Sequence, residues 1–154
     1  MRKKCRVIII VVSILAIVFA VYNATWIWYL KVRFSPLEEN LPIDYGVRIA
    51  SIDNYSYSAT EPRYLKFGGN LSLTNESTQE GLIIWPHFNG SYQLAALLKS
   101  DSESNALIMI YIDADGNYMD DSNDLRKKEV YELNKESVSE MTVLADRMWH
   151  IKEK

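Results

Sequence analysis

The sequence has little cysteine, a negative net charge and no familiar catalytic motif. Each of these features reduces the range of functions that the protein can have. Its one cysteine is Cys5, so no disulfide can form within the chain. The 154 residues carry a formal net charge of −3, whereas nucleic-acid binding needs clusters of Lys and Arg. No nucleophile elbow, phosphate loop or dinucleotide fingerprint occurs. We therefore expect a non-enzymatic protein that has no nucleic-acid partner and folds on its hydrophobic core alone.

One long uncharged run is the most informative feature that is present. No charged residue occurs from Val7 to Leu30, over 24 positions. As an α-helix this run extends about 36 Å, and a bilayer's hydrocarbon core is about 30 Å thick. Tryptophan and tyrosine close the run, and both favour the membrane–water interface. The run therefore predicts a retained transmembrane anchor.

A cleaved secretory signal is the competing interpretation of the same run. Val18-Phe19-Ala20, which ends in a small residue, could serve as the cleavage site of such a signal. The hydrophobic run continues for ten residues beyond Ala20, which is long for a signal and favours the anchor.

The charges beside the run predict its orientation. Four Lys and Arg residues precede it, and only Lys31 and Arg33 follow closely, so the positive-inside rule places the N-terminus in the cytoplasm. All 20 acidic residues and 13 of the 17 basic ones come after the run, which gives residues 31–154 a charge of −7. The predicted division is a cytoplasmic basic tail (1–6), an anchor in the cell membrane (7–30), a proline-containing acidic linker (31–44) and an extracytoplasmic domain (45–154).

Alternating apolar residues predict an antiparallel sheet of about five strands in this domain. Residues 92–98 fit a strand better than the alternative, a short helix. Residues 106–113 are almost continuously apolar, which predicts a central strand that is buried on both sides. The five predicted strands lie within residues 45–57 (with a bulge), 64–75, 81–86, 92–98 and 106–113.

The C-terminal segment has the periodicity of one amphipathic helix. Val138, Met141, Ala145 and Met148 form a stripe near the 3.6-residue period, and Asn134 is a suitable N-cap. Residues 127–133 fit either a strand or an earlier helical turn. The expected fold class is therefore α+β: an N-terminal transmembrane helix, a small antiparallel sheet and one C-terminal helix packed on that sheet.

An acidic loop follows the strongest strand. Ca²⁺ binds six to eight oxygen ligands, and this loop has carboxylates and an amide at alternate positions. It resembles an EF-hand loop, although Tyr118 occupies the sixth place and the twelfth residue is Asp. The alternative is a β-hairpin, because Asp115-Gly116 or Gly116-Asn117 can supply the positive φ of a tight turn. The low-specificity metal candidates are Asp113, Asp115, Asn117, Asp121 and Asp124, and Ca²⁺ is the one cofactor that they suggest.

Aromatic residues cluster around the turn Asn89-Gly90. Trp85, Phe88 and Tyr92 flank it, and aromatic side chains beside polar turns can stack on sugars or contact a protein. Tyr and Trp also favour strand positions for structural reasons alone. We treat the three as candidate partner-binding residues.

Three functions are compatible with these features. The first is a single-pass, membrane-anchored cell-envelope protein with a small interaction domain, whose partners are the lipid bilayer and a protein or cell-wall polymer. The second is a membrane-bound immunity or inhibitor protein. The third is an envelope enzyme, which would need a cleft with convergent polar groups.

Overall fold

A computed structural model describes residues 2–44, 47–64, 68–100, 106–119 and 124–152, with side chains from residue 6 onward. These residues form a long N-terminal helix, an antiparallel sheet and two C-terminal helices. The α+β class is therefore confirmed.

The N-terminal helix extends beyond the predicted anchor. Helix α1 (Arg2–Trp28) continues into a π-helical stretch (Tyr29–Phe34) and a short helix, α2 (Ser35–Glu38). The part from Arg6 to Glu38 is long and apolar enough to cross a membrane, and none of its most apolar window is buried. Pro36 is in the first turn of α2, inside this continuous helical run, where it has no N–H to donate to a carbonyl of the preceding turn. Helical backbone therefore occupies the first half of the predicted linker.

Seven strands, not five, form one sheet within the described residues. Each strand pairs with its neighbour in sequence, so the sheet is an antiparallel meander. The strands are β1 (Ile43–Asp44), β2 (Val47–Ile52), β3 (Tyr55–Thr60), β4 (Asn70–Asn75), β5 (Gly81–Pro86), β6 (Tyr92–Lys99) and β7 (Leu107–Ile112).

The predicted bulged strand at 45–57 contains a hairpin instead. Ile52 pairs with Tyr55, and the two residues between them, Asp53 and Asn54, have φ values of 50° and 67°. A two-residue hairpin turn of this kind needs positive φ at both central positions, and Asp and Asn tolerate it. This hairpin and the short β1 account for the two additional strands.

The prediction for residues 106–113 was right about the strand and wrong about its position. β7 is the last strand of the sheet, and among the described residues β6 is its one neighbouring strand, with a single bridge from its end, Ile112, to Tyr118. Ile110 and Ile112 are buried, but Leu107, Met109 and Tyr111 are 41%, 40% and 38% exposed. The continuous apolar run therefore reflects one buried face and one apolar exposed face.

Two C-terminal helices, rather than one, pack on the sheet. Asp124 caps α3 (Leu125–Leu133) by accepting hydrogen bonds from the backbone N–H groups of Arg126 and Lys127. Asn134 donates its side-chain amide to the Val130 carbonyl and so ends α3, and it makes no side-chain cap to α4 (Lys135–Trp149). The segment 127–133, left open by the sequence, is helical.

The core lies between one face of the sheet and these helices. From α4, Val138, Met141 and Ala145 of the predicted stripe are buried, whereas its fourth member, Met148, is only partly buried. Trp149 is also buried and contacts Tyr57 at 5.9 Å between ring centroids. The sheet contributes alternate residues such as Leu73, Leu82 and Ile110. The 3.6-residue period of the apolar residues thus identified the face of α4 that packs on the sheet.

Candidate functional site

The junction between the N-terminal helix and the sheet domain is the most closely packed candidate region. Phe34, Leu37 and Leu41, which follow α1, are buried in the same core cluster as the sheet residues. Tyr29 is fully buried and donates its hydroxyl hydrogen to the carbonyl oxygen of Pro86 at 2.9 Å. Helix and sheet therefore share one packed interior instead of being joined by a free tether.

Aromatic side chains surround the C-terminal end of α1 from two sides. On one side Tyr64 lies 5.9 Å from Trp26 and 6.4 Å from Tyr22 between ring centroids, and its hydroxyl donates to the Asn23 side chain. On the other side Phe88 lies 5.0 Å from Trp28 and 6.3 Å from Tyr29. We call this group the aromatic collar, and it consists of Tyr22, Trp26, Trp28, Tyr29, Tyr64 and Phe88.

The three predicted partner-binding aromatics do not form one patch. Trp85 pairs with Gln93 and Pro86 with Tyr92, so Trp85 and Tyr92 point to opposite faces of the sheet. Tyr92 packs against the core, while Phe88 belongs to the aromatic collar. Only Trp85 lies on the face away from the helices, where it is half-buried.

A cleft opens beside the aromatic collar, at the end of β5, β6 and β7. Its volume is about 520 Å³, within the range typical of small-ligand sites. Its walls combine aromatic and aliphatic side chains with a few polar ones, and no Lys or Arg is among the described residues that line it. The residues that matter for its chemistry are His87, Tyr92, Gln93, Tyr111, Asp113 and Met119.

The sheet face opposite the core has no helix over it among the described residues. Register brings Ile83, Ala95 and Tyr111 into one row across it, and Leu97 and Met109 into the next. The corresponding positions of β3 and β4 are Ser56, Ser58, Ser72 and Thr74. We call this the open face, and it is apolar at the β7 side and polar at the β3 side.

The acidic loop is a tight reverse turn held by Asp113. One carboxylate oxygen of Asp113 accepts from the backbone N–H groups of Asp115 and Asn117 (2.9 and 2.8 Å), and the other accepts from the Asn117 side-chain amide (3.0 Å). Burial raises the pKa of Asp113, but the hydrogen bonds outweigh it, so the pKa is lowered overall. Gly116, with φ of 86°, supplies the left-handed residue that the turn requires.

The turn is attached to the rest of the domain. Tyr131 donates to the Gly116 carbonyl at 2.8 Å, and Tyr118 forms a bridge with Ile112 at the end of β7. Lys152 lies 3.1 Å from an Asp115 carboxylate oxygen. Five residues, 113–117, lie between the bridged Ile112 and Tyr118, and only Gly116 among them has positive φ. The loop therefore reverses the chain, but over a longer span than the two-residue turn of the hairpin alternative.

Four of the five metal candidates lie in the described residues, where they make separate local contacts. Asp113 and Asn117 bond to each other, Asp115 faces Lys152, and Asp124 caps α3. Asp121 lies outside the described residues, which contain no group of three metal-ligating side chains. The Ca²⁺ site stays a prediction.

Sequence reasoning identified the aromatics at the end of the apolar run but not their contacts. Trp and Tyr near Leu30 indicated an interface, whereas nothing in the spacing of Tyr64 or Phe88 marks them as neighbours of that helix. The sequence signal that could have indicated these contacts is the large number of Tyr and Trp residues near the turns before β4 and after β5.

Comparison with known proteins gave no relative: no protein-family model, curated protein or solved structure matches this chain.

Proposed function

We propose that this chain is a single-pass membrane protein whose domain is a non-enzymatic interaction module held at the outer surface of the cell membrane. One helix of suitable length and apolar composition supports the anchor. The four basic residues before the apolar run support a cytoplasmic N-terminus. The partner is a protein or an envelope polymer outside the membrane.

The observation that carries the proposal is the packed junction. The helix enters the domain through Phe34 and Leu37, which are buried against the sheet, and Tyr29 binds the end of β5. A domain held in this way keeps one height and one orientation above the bilayer. This fixed position suits a domain that presents one surface to a partner.

The apolar part of the open face is the surface that we propose for contact. Leu107, Met109 and Tyr111 project from an edge strand, and exposed apolar patches on soluble domains commonly mark interaction sites. The adjoining cleft adds aromatic and amide groups.

An edge strand also favours the inhibitor alternative. The end of β7 pairs with Tyr118, but the strand has an otherwise open edge among the described residues. Such an edge can extend the sheet of another protein by main-chain hydrogen bonds. An immunity or inhibitor protein that blocks an enzyme by this route is our second proposal.

Site-specific photo-crosslinking in cells tests the contact surface. A photoreactive amino acid replaces Met109 on the open face, and Leu133 serves as the control because it is exposed on α3 at the opposite side. We expect a discrete crosslinked species from position 109 and none from position 133. Equal labelling at both positions, or none at position 109, would contradict the proposal.

The intact mass of the membrane-extracted protein tests the anchor. We expect the full 154-residue chain. A mass that corresponds to cleavage after Ala20 would support a signal sequence instead.

A further inference from the structure

Two loops of the domain lie beside the last turns of α1. Tyr64 contacts Tyr22 and Trp26, and Phe88 contacts Trp28 and Tyr29. Trp26, Trp28 and Tyr29 are in the last five residues of the uncharged run, and Tyr22 is about two turns before its end, so the loops lie beside the part of α1 where the run leaves the hydrocarbon.

The aromatic collar is exposed on its outer side. Trp28 is 44% exposed, Phe88 48% and Tyr64 51%, although all three make ring contacts. This exposed surface continues directly into the lipid-type surface of α1, where Ile27 is exposed as well. Trp and Tyr combine an apolar ring with a polar group and favour the headgroup level of a bilayer.

Positive charge lies next to the aromatic collar. Lys31 is exposed, and Arg33 packs beside Gly90 in the turn that contains Phe88. The Nε and Nη2 atoms of Arg33 are buried and have no hydrogen-bond partner among the described residues. Because these two atoms are shielded inside the protein, the exposed positive charge at this level is that of Lys31, and an ammonium group is suited to the phosphate of lipid headgroups.

We propose that the aromatic collar is a lipid-docking surface, which rests on the transmembrane anchor proposed above. The headgroup layer of the outer leaflet covers Trp28, Tyr64 and Phe88, and Lys31 faces the lipid phosphates. The domain thus contacts the membrane through two of its own loops as well as through its anchor, and this contact fixes its tilt.

Spin-label depth measurements on the full chain in phosphatidylcholine nanodiscs test this inference. Cys5 is the only cysteine, so Cys5→Ser permits single labels at chosen sites. His87 is exposed beside Phe88, and Glu76 is exposed in the loop at the other end of β5. We expect the label at 87 to collide less with a water-soluble nickel complex, and more with oxygen, than the label at 76. Equal collision rates at 87 and 76 would overturn the inference.

A third label separates failure of the inference from failure of the anchor. Leu15 lies in the middle of the apolar run and is exposed on α1. A label at 15 that reports hydrocarbon depth, together with a label at 87 in water, rejects lipid docking alone. A label at 15 in water rejects the anchor, and the docking inference with it.

Removal of the loop aromatics tests the cause of the docking. We expect Tyr64→Ser combined with Phe88→Ser to move the label at 87 toward water and to increase its mobility. Leu133→Ser, which removes an exposed apolar side chain remote from the aromatic collar, leaves the label unchanged. An unchanged depth in the double variant would contradict the role of these rings.

Discussion

Gly69 offers the sharpest test of the junction between helix and sheet. A Cβ atom added there would lie 2.6 Å from Cε2 of Phe34, 2.7 Å from Cδ of Pro62 and 2.9 Å from the Pro62 nitrogen. Real Cβ contacts almost never fall below 3.0 Å, so Phe34 or the Pro62 backbone must move. Overpacking of this kind costs about 1–3 kcal/mol. For a chain of this length each kcal/mol lowers the melting temperature by about 2–4 °C.

The adjacent glycine is a matched control. A Cβ atom at Gly68 meets nothing within 4 Å. We expect Gly69→Ala to lower the melting temperature of the full chain in detergent micelles by about 2–12 °C and Gly68→Ala to leave it unchanged or slightly raised. Circular dichroism in the near ultraviolet reports the packing of the aromatic residues and is the assay of choice. Equal melting temperatures for the two variants would refute the packed junction.

Four further predictions concern single contacts and the acidic loop. Tyr29→Phe leaves the buried Pro86 carbonyl without its donor, and we expect a loss of about 1–3 kcal/mol in chemical denaturation, whereas an unchanged midpoint would mean that this bond is absent. Asp124→Ala removes the cap of α3 and is expected to cost about 0.5–2 kcal/mol by the same measurement, with Asp124→Asn retaining most of it. Because the pKa of Asp113 is lowered on folding, its contribution to stability is present above the unfolded pKa of about 3.9 and is lost as the pH falls through the folded value. The difference in melting temperature between the wild type and Asp113→Asn should therefore shrink on acidification, and a pH-independent difference would contradict this assignment. In the same assay, a rise of the wild-type melting temperature in millimolar Ca²⁺ that Asp113→Ala abolishes is the result expected of the predicted ion site, and an unchanged melting temperature would reject that site.

Regular hydrophobic periods made much of the fold predictable. The apolar stripe through Val138 and Ala145 identified the buried face of α4, and the alternation in β4 placed Leu71 and Leu73 on the core side. The predicted number of strands was wrong because Asp53-Asn54 is a turn without glycine, and in the sequence it looks like an interruption inside one strand. The position of β7 was wrong because the sequence does not show whether an apolar outer face is covered.

The candidate site was less predictable because it depends on long-range contacts. Composition drew attention to Phe88 and to the aromatic end of the apolar run, but their contact joins residues about sixty positions apart. The separation of Trp85 from Tyr92 follows from strand register, which the Asn89-Gly90 turn alone did not establish. The alternating acidic residues likewise do not show, from the sequence alone, whether they bind an ion, stabilise a turn or cap a helix.

The meander order of the sheet also bears on how the chain folds. Each of its seven strands pairs with the strand made just before or just after it, so every ladder is a local hairpin. Proteins dominated by local contacts fold faster than those that must first close long loops. As the chain emerges, each new strand can add to a growing edge, beginning next to α1. The last steps are then the pairing of β7 and the return of α3 and α4 over a sheet that is already assembled.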